Sequence, residues 1–138
     1  DKTGFPSTYL ELEITENLVG PDAADVSRQL KGIRALGVEI SIDDFGIAYS
    51  SLSRLKQLPL NTLKIDRSFV QDLGKKEDDE VIVRTIISMA HSLNLKVVAE
   101  GVETQDQFKY IKHHHCDIVQ GFLFGKPIPI TEIQKLVT

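Results

Sequence analysis

A chain of 138 residues, 41% hydrophobic and 26% charged, suits one globular domain with its own core. Sixteen basic against twenty acidic residues leave a net charge of −4, which argues against a nucleic-acid polymer as partner, since such proteins carry a broad basic surface. The single cysteine, Cys116, excludes an intrachain disulfide and a thiolate zinc cluster and fits a reducing cytoplasm, and no stretch nears the roughly 18 apolar residues of a membrane span.

The start, DKTGFPSTY, has neither the basic nor the apolar part of a signal peptide and reads as a loop. Residues 9–15 (YLELEIT) predict a strand. Gly20-Pro21-Asp22 breaks the chain, and residues 23–36 then set Val26, Leu30, Ile33 and Leu36 at helical spacing before Gly37. A second strand, 38–43 (VEISID), runs into Asp43-Asp44-Phe45-Gly46, and a short helical pattern of Leu52, Leu55 and Leu58 stops before Pro59. The third run, 62–66 (TLKID), is followed by a charged stretch at 74–79, predicted as a solvated loop. A helix over 80–93 then buries Val81, Ile86, Met89 and Leu93 or their neighbours. Residues 96–100 (KVVAE) form a fourth strand, and Thr104 is expected to cap a helix with Phe108 and Ile111 inward. Residues 117–120 (DIVQ) form a fifth, and a last short helix begins near Thr131.

Alternating strand and helix means a mainly parallel sheet with helices packed outside it. An open doubly wound sheet fits the length. A barrel fits the chemistry better, because a barrel draws its site from the ends of many strands and here all five runs end on a polar group. The fold class read from the sequence is therefore α/β, an incomplete (β/α)8 TIM-type barrel of about five mainly parallel strands with outer helices.

Glu13, Asp43 and Asp44 stand at strand ends expected to face one point. Clustered carboxylates repel unless cations neutralise them, and oxygen-only ligands suit Mg²⁺ or Mn²⁺. Lys64, inside an apolar strand, is expected either to meet an acid or anionic substrate or to snorkel outward. Glu100 and Glu103 flank Gly101, which permits a tight backbone, and Gln120 offers an orienting amide. The run His113-His114-His115 is set aside as a zinc site because adjacent side chains on a helix diverge. Phe122 and Phe124 are expected to pack rather than to stack on a ligand. A Schiff-base role for Lys64 is disfavoured, since neighbouring carboxylates raise a lysine pKa.

The segments LELEITE (10–16), IDDFGIAYSSL (42–52), LKIDRSFV (63–70), VVAEGVET (97–104) and VQGFLFGKPIP (119–129) resemble the EAL domains, metal-dependent phosphodiesterases of the bacterial second messenger cyclic di-GMP. The resemblance spans nearly the whole chain, in the family's order and spacing. It implies metal ligation by Glu13, Asp43 and Asp44, with Glu100 as ligand or base, and two Mg²⁺ or Mn²⁺ ions. Lys64 and Gln120 would flank the attacking water, Glu103 would support the substrate, and Glu16 would steady the loop after the aspartate pair. The partners implied are cyclic di-GMP and either a second copy of the chain or further domains of a longer one. Residues 1–138 would form the C-terminal part of such a domain, lacking the Glu-Ala-Leu signature and roughly three barrel strands. That truncation would leave either a phosphodiesterase fragment, active when its barrel is complete, or a non-catalytic module that binds cyclic di-GMP or a protein. Ile47 and Ala48 depart from the family's usual Thr-Gly, and an alanine forced to positive φ costs about 1 kcal/mol.

Overall fold

The computed structural model describes residues 3–16, 23–47, 52–75 and 77–136. Among these residues five strands form one sheet: β1 (Glu11–Thr15), β2 (Glu39–Phe45), β3 (Thr62–Ile65), β4 (Lys96–Ala99) and β5 (Ile118–Val119). Neighbours are parallel and lie in sequence order, β1-β2-β3-β4-β5. A doubly wound sheet reverses its order at a switch point. This one never does, and right-handed crossovers in an unreversed order put all connecting helices on one face, as in a barrel wall.

Strand alternation sorts the side chains. Ile14, Ile42, Leu63 and Val97 align across β1 to β4 and are buried. They join one core with Leu30 of α1 (Ala23–Ala35), Val83, Ile87 and Ala90 of α4 (Glu77–Ser92) and Ile111 of α5 (Gln105–His113). The alternate positions, Glu13, Ser41 and Thr62, share the other face with Asp43 and Lys64. That face is polar because a barrel interior, unlike the helix-packed side, can carry a site toward the strand ends.

Several elements depart from the sequence expectation. Leu36 lies beyond the end of α1 and is largely exposed, as is Leu52 at the start of the single-turn helix α2 (Leu52–Leu55), whereas Leu55 and Leu58 are buried. Asp66 starts a short helix unseen in the sequence, α3 (Arg67–Gln71). The charged stretch is partly helical, since α4 begins at Glu77, so Asp78, Asp79 and Glu80 fall in its first turn, where acids suit the positive end of the helix dipole. Inside α4 the buried positions are Val83, Ile86, Ile87 and Ala90; Val81 is exposed, and Met89 and Leu93 are partly buried. Thr104 does cap α5, in a reciprocal capping box with Gln107. A final helix, α6, spans Ile130–Leu136. No helix among the described residues is long and apolar enough to cross a membrane.

Candidate active site

A bulge shapes the end of β2. Ile42 pairs with Leu63 and Phe45 with Ile65, so β2 spends one residue more than β3 over the same span. The extra residue restores Phe45 to the core, leaves Asp43 on the polar face, and puts Asp44 in the left-handed region at φ 54°. Aspartate tolerates that region better than most residues. Two consecutive carboxylates thus stand at one strand end without either displacing a core residue. Gly46 N–H donates to Glu16 Oε2 at 3.3 Å, which ties the loop after the pair to the end of β1. Ile47 is exposed, and Ala48 lies outside the described residues.

Lys64 settles between the two alternatives left open by its place in a buried strand. Its ammonium lies 2.5 Å from Glu13 Oε1, 2.7 Å from Glu100 Oε1 and 3.5 Å from Asp43 Oδ1. Burial alone would lower its pKa, but the hydrogen bonds from Glu100 and Glu13 and the charges of Glu100 and Asp43 raise it above the usual lysine range. A lysine whose charged form is favoured in this way is a poor carbonyl nucleophile, so the Schiff-base chemistry is unsupported here.

Asp66 is a carboxylate that residue-by-residue reading passes over. It is buried, accepts from Ser68 N at 2.9 Å and from the Ser68 hydroxyl, and so caps α3. Burial would raise its pKa, yet the Ser68 hydrogen bonds outweigh this and hold it below the usual carboxylate range. Asp44 is pushed the other way, first by desolvation, then by the charges of Asp43 and Asp66 and a hydrogen bond to Asp66. The sequence signal for Asp66 was its place between a strand and Arg67-Ser68, an N-cap pattern. We expect Asp66→Ala to lose about 1 kcal/mol through the cap, and Asp66→Asn to stay within about 0.5 kcal/mol of the wild type in urea unfolding, because an amide oxygen still caps. Since the folded pKa is depressed, the contribution of Asp66 is full above about pH 4 and is lost as pH falls through the folded value.

Glu100, Glu103 and Gln120 line a cavity of about 190 Å³ with Arg67, Gln71 and Phe122. Its floor depends on Gly101, whose φ of +73° and close approach to Arg67 admit no side chain: a Cβ there would lie 2.6 Å from Arg67 Cβ. Phe122 and Phe124 are each more than half exposed, so the packing expectation holds only for the edge-on contact of Phe124 with Phe108, at 5.5 Å between centroids.

The strand ends therefore bring Glu13, Asp43, Lys64 and Glu100 together by ion pairing, set Asp44 against Asp43 and Asp66, and leave Glu103 and Gln120 beside Glu100. The donor set is all oxygen and fits a hard divalent cation. Asp43 Oδ1 supports that fit, being buried and, among the described residues, without a hydrogen-bond partner and with only the 3.5 Å ion pair. Among the described residues no three acids or histidines converge closely enough to enclose an ion as they stand.

A family model described as the EAL domain matches residues 1–127. The chain is 44% identical over 137 residues to the cyclic di-GMP phosphodiesterase NbdA of Pseudomonas aeruginosa, across 99% of this chain but 18% of that protein. Its fold is similar to the EAL domain of Mycobacterium smegmatis DcpA, with a TM-score of 0.90 and 47% identity over 98% of this chain and 60% of the other. It is also similar to Klebsiella pneumoniae BlrP1 in complex with manganese and cyclic di-GMP, with a TM-score of 0.82 and 32% identity over 91% of this chain and 32% of that one. The five parallel strands and outer helices thus correspond to part of a TIM-type barrel, and the chain spans under a fifth of the length of that curated relative. By the match over nearly its whole length, the chain belongs to the EAL domain family.

Proposed function

We propose that residues 1–138 form the C-terminal part of a phosphodiesterase barrel that, when complete, hydrolyses one ester of cyclic di-GMP to give linear pGpG. The observation that carries this reading is the position of Lys64, buried at the centre of the sheet and paired with Glu13 on β1, Asp43 on β2 and Glu100 just after β4. We assign Glu13, Asp43, Asp44 and Glu100 as ligands of two Mg²⁺ or Mn²⁺ ions, which when bound would supply an activated water and charge neutralisation at the phosphodiester. Lys64 and Gln120 orient the attacking water, and Lys64 adds a fixed positive charge where the phosphoryl oxygens become more negative. Glu100 stands where it can accept the water's proton. Glu103 holds the substrate from the far side of the 190 Å³ cavity, and Glu16 fixes the loop that carries Asp43 and Asp44.

A second reading, a non-catalytic module that binds cyclic di-GMP or a protein partner, is favoured by one observation: no three acids or histidines among the described residues are arranged to hold a metal ion. The edges of β1 and β5, each paired on one side only, favour a second copy or a longer chain as structural partner. One experiment separates the two functions. The intact protein carrying this chain is incubated with Mn²⁺ and cyclic di-GMP, and product is followed by chromatography. Accumulation of the linear dinucleotide, abolished in Glu13→Ala, is the expected result. Saturable binding without product would favour the module, and neither binding nor product would remove both.

A further inference from the structure

All four histidines of the chain line a single cleft. His91, near the end of α4, faces His113 at the end of α5 and His114 and His115 in the turn that follows, with Arg84 and Ser88 of α4 completing a cavity of about 420 Å³. Because α4 leads into the start of β4 and this turn into the start of β5, the cleft opens at the end of the sheet opposite the candidate active site. Adjacent histidines diverge on a helix, but here the chain leaves the helix between them: His114 is the C-cap and His115 adopts φ 61°. That conformation costs a non-glycine residue about 1 kcal/mol.

We propose that this cleft is an anion site for a phosphate group, either inorganic phosphate or a phosphate monoester, clamped by the Arg84 guanidinium and by N–H donors of the imidazoles around it. The lining holds cationic or neutral donors and no carboxylate. Arg84 has no ion-pair partner among the described residues. Asp117, the nearest acid on the β5 side, is committed to His91 Nε2 at 2.9 Å and to Val97 N–H at 2.8 Å. On α4 the opposing acid is Glu80, and on α5 the Tyr110 ring stacks on His114 at 4.6 Å between centroids while its hydroxyl donates to the Glu80 carbonyl. The His113 and His114 rings lie 5.1 Å apart, edge to face. Consistent with this crowding, burial and then His113, Arg84 and His115 hold His114 below the usual imidazole range, with Glu80 alone opposing. A transition-metal ion is the poorer occupant: a guanidinium repels it, Asp117 is turned to His91, and among the described residues no three ligands are arranged to hold a metal ion.

The test is calorimetric titration of the full chain, without divalent metal so that the strand-end site is silent and failure here says nothing about hydrolysis. The probes are inorganic phosphate, sulfate and guanosine monophosphate. Sulfate and phosphate should both bind at pH 6, and Arg84→Gln should weaken each about tenfold with an unchanged unfolding midpoint. Tighter binding of the monophosphate than of phosphate assigns a monoester as ligand, and equal binding assigns free phosphate. No binding at pH 6, binding indifferent to Arg84→Gln, or tight Zn²⁺ binding that the histidines carry in place of phosphate would each overturn the proposal.

Discussion

Lys64→Ala is expected to destabilise the chain by about 3 kcal/mol in metal-free buffer, read as a fall in the urea midpoint with an unchanged slope. Removing one partner of a buried ion pair commonly costs about 3–5 kcal/mol, because the charges left behind have lost both water and counter-ion. The lower end applies here, since the Glu13 side chain is about half exposed (49%) and can rehydrate, while Asp43 and Glu100 are more enclosed. Two further outcomes tie the loss to charge rather than packing. Adding Glu100→Gln to Lys64→Ala should recover about 1 kcal/mol, a non-additivity that a simple cavity would not produce. Mn²⁺ should restore part of the stability of Lys64→Ala, because Glu13, Asp43 and Glu100 then share a different cation. A double mutant that is merely additive, together with no response to Mn²⁺, would mean that the lysine acts only as filler. The pH dependence follows from the raised folded pKa: Lys64 contributes in full below the usual lysine value of about 10.4, and the contribution is lost as pH rises through the higher folded value.

Gly121→Ala should cost as much or more, about 3 kcal/mol, and should reach the site as well as the fold. A Cβ at Gly121 would lie 2.1 Å from the carbonyl oxygen of Val102, 2.3 Å from its nitrogen and 2.6 Å from its carbonyl carbon. These are backbone atoms of a fully buried residue, held by Val102 N–H to the Gln120 carbonyl at 3.1 Å and Leu123 N–H to the Val102 carbonyl at 3.0 Å. No side chain can rotate aside, so the two loops must separate, and they carry Glu100, Glu103 and Gln120. Gly125→Ala is the matched control: nothing lies within 4 Å of its Cβ, and its midpoint should move by no more than about 0.5 kcal/mol. Equal midpoints for the two alanine variants would show that the close approach of the two loops is not needed for stability.

Both predictions rest on features that the residues announce unequally. Lys64 is conspicuous because a lysine between Leu63 and Ile65 needs a partner, and only its choice among Glu13, Asp43 and Glu100 waits for the fold. Gly121 is one of nine glycines, and nothing local distinguishes it from Gly125. The strands read well because Ile40, Ile42, Leu63, Ile65 and Val97 belong to dense apolar runs whose burial dominates every other tendency. Short helices read poorly. In α3 five residues gain little from periodicity, and at the start of α4 a charge run that suggests a solvated loop is equally good chemistry for a helix N-terminus. The bulge at Asp44 is hidden for another reason: it exists only relative to β3, and no pattern within β2 contains that register.

By itself the sequence determined the alternation of strand and helix, the polar group closing each strand and the resemblance to one family, because hydrophobic periodicity and motif spacing are written along the chain. Only the tertiary structure decided the unreversed strand order, the three-way pairing of Lys64, the meeting of Asp44 with Asp66 and the gathering of His91 with the His113 run. Each of these depends on which distant segments share a face, and that is fixed by burying one common core rather than by any local stretch of residues.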